Sequence, residues 1–133
     1  MNYWVKFHFI DKDGEGKFQF VPINRIAKQQ LPKNILFITI VDDKQETKWI
    51  IGIANRINIE EKWDLKVKKC VLVTGKEYLT KIFCKDAQIY ITSMYIAFRM
   101  ISLINHHSNE SLEELNARMK DYASHNSNTV YVE

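Results

Sequence analysis

IYITSMYIAFRMISLI, residues 89–104, is the greasiest run of the chain: among its sixteen residues only Thr92, Ser93, Arg99 and Ser102 are not apolar. No water-facing helix or edge strand carries such a run, so it predicts a segment covered on nearly all sides. A membrane span needs about 18–20 apolar residues with few or no charges, and Arg99 sits well inside this stretch. A mid-helix arginine costs about 2.5–3.5 kcal/mol on translocon scales, which so short a run hardly offsets. The stretch therefore reads as the buried spine of a water-soluble domain.

Within it, Ile-Tyr-Ile-Thr are poor helix formers and good strand formers, so residues 88–92 predict a strand. From Ser93, a good N-cap, the Met, Ala and Leu content predicts a helix to about Asn105; a single helix over 87–105 is the alternative. His106-His107-Ser108-Asn109 break it. Ser111-Leu112-Glu113-Glu114 is then a capping box, S-x-x-E, followed by an apolar stripe of Leu112, Leu115, Met119 and Tyr122 opposite Glu113, Arg118 and Lys120. This second helix is expected to reach about Ala123. Thr129-Val130-Tyr131-Val132 predicts a last short strand returning to the sheet.

On the N-terminal side, residues 2–10 alternate: Tyr3, Val5, Phe7 and Phe9 point one way, Lys6 and His8 the other, as in a half-buried strand. DKDGEGK (11–17) is a turn, with Gly14 and Gly16 free to take positive φ, and Phe18-Gln19-Phe20-Val21 is the returning strand, stopped by Pro22. Residues 24–31 predict a short helix capped by Asn24. ILFITIV (35–41) suits a central strand covered on both faces, and WIIGIA (49–54) returns as another. Gly52 marks a bulge or a close approach on its face. Residues 65–73 predict a further strand, charged in its first half. Tyr78, Leu79, Ile82 and Phe83 recur at helical spacing, which predicts a short helix at 76–85.

These elements imply one α+β domain: a mostly antiparallel sheet of five or six strands packed on one face by the C-terminal helices. A chain of 133 residues, 46% hydrophobic and 26% charged, fits a single globular unit that needs no staples to fold. Cys70 and Cys84 sit among apolar neighbours. MNYWVKFHF lacks the charged start and long apolar run of a signal peptide, so two reduced thiols in a cytoplasmic protein are expected. No CxxC or HxxxH spacing implies a metal, and no cofactor fingerprint occurs.

Catalytic readings are thin. A metal-dependent nuclease needs a carboxylate pair for Mg²⁺ and a lysine by the scissile phosphate; Asp42 or Asp43 with Glu46 and Lys48, or Glu60-Glu61-Lys62, supply the residue types. Yet Asp42, Asp43 and Glu46 crowd into one polar connection between strands, where a solvated hairpin loop is the plainer expectation. His106, His107 and His125 read as capping or surface histidines, with Asp86, Glu113 or Glu114 as conceivable partners.

The basic stretch 62–69 interleaves cations with an aromatic: Trp63, Lys66, Lys68 and Lys69 make a candidate contact surface, with Lys6 and His8 as a second. Lys76, Lys81 and Lys85 could extend it, with Trp4 or Trp63 stacking on a base. Nucleic-acid binding is thus one class. The other is a non-enzymatic accessory protein that binds a partner protein and neutralises it, in the manner of immunity proteins or phage-encoded inhibitors of host enzymes. The Lys-, Ile- and Asn-rich composition points to an AT-rich bacterial or phage genome. A net charge of +3 counts mildly against blocking a basic nuclease. Protein binding is the leading expectation, with nucleic acid as the alternative.

Overall fold

The structure, a computed structural model, describes residues 2–28, 31–60, 69–74, 79–83 and 86–132. Nine strands are assigned among them: β1 (Trp4–Ile10), β2 (Gly16–Pro22), β3 (Ile35–Val41), β4 (Thr47–Ile53), β5 (Ile57–Glu60), β6 (Lys69–Thr74), β7 (Leu79–Phe83), β8 (Gln88–Thr92) and β9 (Val130–Val132). Two helices, α1 (Met94–His106) and α2 (Leu112–Ser124), lie between β8 and β9. Six strands form one sheet in the order β2-β1-β3-β4-β8-β9, and β5-β6-β7 form a second. Every pairing of the main sheet is antiparallel except β4 with β8. The chain is therefore α+β, as its patterning implied.

The opening hairpin is closed by a short turn. Asp11 accepts hydrogen bonds at Oδ1 from the N–H groups of Asp13 and Glu15, and Gly14 takes the positive φ, 81°, that a side chain would resist. This fixes the register His8 to Phe18 and Lys6 to Phe20. Tyr3, Val5 and Phe7 face the helices, together with Ile38, Ile40, Trp49, Ile51 and Tyr90. Phe9 departs from the expected alternation. The pairing with β3 shifts between His8 and Phe9, where Leu36 is the extra residue on β3, and Phe9 is only half-buried; Ile10 lies on the His8 face, where alternation puts it, with Phe37, Ile50 and Ile89. β3 is buried at all seven positions, because both faces of the sheet are covered there.

The close approach expected at Gly52 is real. Ile57, at the start of β5, lies over it. A methyl group built on Gly52 would collide with Ile57 Cδ1 and meet Ile91 Cδ1 at 2.6 Å. Gly52→Ala is expected to cost about 1–2 kcal/mol by overpacking, read as a lower urea midpoint at unchanged slope. An unaltered midpoint would mean that Ile57 is not seated on this glycine.

Both helices begin where the sequence placed them. Ser93 Oγ accepts from Ile96 N–H and Ser111 Oγ from Glu114 N–H, each satisfying one orphan donor. α1 buries Ala97, Met100, Ile101 and Ile104, and α2 buries Leu115, Met119 and Ala123, all on the same face of the main sheet. The run 89–104 is less fully covered than expected. Tyr95 is 68% exposed, and Arg99 and Ser102 lie on the outer side of α1. Among the described residues no helix is long and apolar enough to cross a membrane.

Two local expectations fail. Residues 23–28 form a 3₁₀ helix, Ile23–Lys28, in place of the predicted α-helix at 24–31. Of the helix predicted at 76–85, residues 76–78 and 84–85 lie outside the described residues, and Leu79–Phe83 is strand β7, paired with β6; spacing at i, i+1, i+4 and i+5 does not outweigh a strand partner beside β-favouring Thr80, Ile82 and Phe83.

Candidate functional site

The predicted contact residues separate. Trp63, Lys66 and Lys68 lie outside the described residues, as do Glu61 and Lys62; Lys69 is placed only as the first residue of β6. Lys6 and His8 are placed, and a surface forms around them that the sequence did not announce.

Lys6 and His8 project from the side of β1 opposite the helices. In the hairpin register their neighbours across to β2 are Phe20 and Phe18. Phe18 is 61% exposed and Phe20 37%. Trp4 stacks flat on Phe20, ring centroids 5.0 Å apart and planes 4° from parallel. The Lys6 ammonium lies over both phenylalanine rings, 5.1 Å from Phe18 and 5.6 Å from Phe20. A cation over an aromatic face is attracted by the ring quadrupole, about 0.5–1 kcal/mol when exposed, so this lysine is held against the rings. Among the described residues it meets no carboxylate, whereas Lys17 is spent on Asp11 at 2.7 Å and Lys48 on Glu46 at 3.1 Å.

His8 belongs half to this surface and half to the interior. Its ring stacks on buried Phe37, centroids 4.1 Å apart, and Nε2 is 3.0 Å from the hydroxyl of buried Thr39. Burial, helped by the charge of Lys6, pushes its pKa down to about 4, so the imidazole is neutral at pH 7. The face expected to be plainly polar is thus an aromatic platform with one ammonium on it.

A single exposed phenylalanine is ordinary. Trp4, Phe18 and Phe20 adjacent on one hairpin, clamped by a lysine, is a different matter: burying one such ring would gain about 1.5–3 kcal/mol that the free chain forgoes. Sequence reasoning placed the two phenylalanines on the returning strand without assigning them to a surface. The turn centred near Asp13 was the available signal, since it sets Phe18 opposite His8 and Phe20 opposite Lys6.

The other candidates resolve into local structure. Asp42 accepts at Oδ1 from the N–H groups of Lys44 and Glu46, closing the β3–β4 turn, while Lys48 reaches Asp42 at 3.8 Å and Glu46 at 3.1 Å. These groups serve one another. Glu60 ends β5. His107 caps α1 and lies 3.6 Å from Glu110, a partner the sequence reading did not name; Glu110 in turn takes a two-pronged contact from Arg118 at 2.6 Å, which holds its carboxyl below the usual range. His125 sits at the end of α2 against the carbonyl of Asp121. Among the described residues no three His, Cys, Asp or Glu side chains are placed to share a metal ion. Compared with family models, curated proteins and solved structures, the chain matches none of them.

Proposed function

We propose that the chain is a non-enzymatic recognition protein that binds a partner protein through the outer face of the β1–β2 hairpin, and that it inhibits or neutralises the partner by covering part of its surface. The observation that carries this reading is the exposure of Phe18 and Phe20 beside the stacked Trp4, with the Lys6 ammonium over both phenylalanine rings and, among the described residues, meeting no carboxylate. Contact energy in protein interfaces concentrates in a few aromatic and cationic side chains ringed by polar ones, and this face has that make-up.

The test is recovery of a partner from the native cell. The wild-type chain is expected to retain one protein at stoichiometric yield, and Phe18→Ser with Phe20→Ser to lose at least about thirtyfold in affinity for it, some 2 kcal/mol. Both side chains are exposed, so the double variant should keep its circular dichroism and nearly its melting temperature. Equal recovery by wild type and variant would sink the reading.

A further inference from the structure

Resting on that reading, we infer that the partner adds an extended strand to the open edge of β2, with apolar side chains and one carboxylate on the face it shares with Phe18 and Phe20. Among the described residues β2 has a single neighbour, β1, so its other edge is unpaired. Which backbone groups point outward follows from the hairpin. Asp11 N–H donates to Glu15 C=O, and at the far end Ile23 N–H donates to Tyr3 C=O. Antiparallel hydrogen bonds recur every second residue, so Lys17, Gln19 and Val21 bond inward to β1. Gly16, Phe18, Phe20 and Pro22 therefore turn their backbone outward. Pro22 fits this assignment, since proline is tolerated where a strand's nitrogen faces away from the sheet.

Of the three residues with outward N–H and C=O groups, Gly16, Phe18 and Phe20, two carry the exposed rings. A strand laid along this edge takes main-chain hydrogen bonds from Phe18 and Phe20 and sets its own side chains against their rings in the same act. Lys6 supplies the charge preference. Its ammonium leans across β1 to lie over the β2 rings, within reach of a same-face side chain on the incoming strand.

Single-stranded nucleic acid fits less well. Phe20 already has one face covered by Trp4, both phenylalanine rings carry the lysine, and among the described residues Lys6 is the one cation lying over these rings, too few to track a phosphate backbone.

The test uses the full chain and two synthetic ten-residue peptides alternating threonine and valine, in which one central valine is glutamate in the first and lysine in the second. Amide exchange and ring resonances are followed by NMR as each is titrated to millimolar concentration. Without peptide, the amides of Phe18 and Phe20 are expected to exchange fast and those of Gln19 and Val21 slowly. The glutamate peptide should slow Phe18 and Phe20 at least about tenfold and bind at least about fivefold tighter than the lysine peptide, and Lys6→Glu should reverse that order.

Ring shifts without amide protection would overturn strand addition while leaving the face as the binding surface. No response at rings or amides would also overturn it, and the partner-recovery experiment then decides separately whether the face binds at all. Protection that grows with protein concentration in the absence of peptide would assign the edge to a second copy of this chain. A thymidine decanucleotide shifting the same rings more strongly than either peptide would assign it to nucleic acid. Each of these last two overturns the inference.

Discussion

Trp49→Ala is expected to lower the stability of the folded chain by about 3–5 kcal/mol, the range for truncating a large buried aromatic. Trp49 is fully buried at the centre of the main sheet. Its ring meets Tyr3 edge-on at 5.3 Å, and its Nε1–H donates to Asn116 Oδ1 at 2.9 Å, the bond that ties β4 to α2. Alanine removes the packing, strips the edge contact from Tyr3 and leaves the Asn116 carbonyl without its donor. At about 2–8 °C per kcal/mol for domains bracketing this size, the melting temperature should fall by at least about 6 °C. Trp49→Phe keeps most of the volume and loses the hydrogen bond, so it should lie between. A drop of under about 1 kcal/mol for the alanine variant would contradict the placement of α2 over this strand.

The second large effect is acid sensitivity from His8. The imidazole has a pKa of about 4 in the folded chain against an ordinary 6.5. The unfolded state therefore binds the proton more readily between those values. Stability is fully present above pH 6.5, declines as the pH falls from 6.5 towards 4, and declines no further from this group below 4. The whole shift corresponds to a few kcal/mol, and allowing for the partly open side of the ring about 2–3 kcal/mol is expected. His8→Gln cannot take up a proton there and should abolish the slope in this window. Asp11 and Glu110, both held below the ordinary carboxylate range by Lys17 and Arg118, begin to lose their stabilising interactions only as the pH falls below their ordinary values of 3.8 and 4.5, at the acid end of this window, and that loss remains in the variant. A wild-type chain with a flat urea midpoint from pH 7 to 4.5 would show that the imidazole is not desolvated.

Where one local rule governs, the chain was legible. The apolar, β-branched run of β3, the two serine caps and the glycine under Ile57 each follow from residue type alone. What escaped depends on neighbours distant in sequence. The helical spacing of Tyr78, Leu79, Ile82 and Phe83 gave way to pairing with β6. The irregularity beside His8 arises because β3 carries one residue, Leu36, more than β1 at that point, so that Leu36 and Phe37 join the same cluster. The proposed face was half visible: Lys6 and His8 were picked out, but Phe18 and Phe20 were read only as part of the returning strand, since apolarity does not say which side of a strand is covered. The basic stretch 62–69 lies mostly outside the described residues and stays an expectation.

The parallel contact between β4 and β8 has a consequence for how the molecule is made. β1 to β4 are next to one another along the polypeptide or joined by short links, whereas the strip 49–53 is completed only by residues 88–92. A ribosome adds about 5–20 residues each second, so a nascent chain holds Trp49, Ile50 and Ile51 on an unfinished border for seconds before their cover arrives. A version cut short before Gln88 would keep the β1–β2 hairpin and lose the strand that covers the border of β4, so shortening from the C-terminus should yield aggregates before it yields a minimal folded unit.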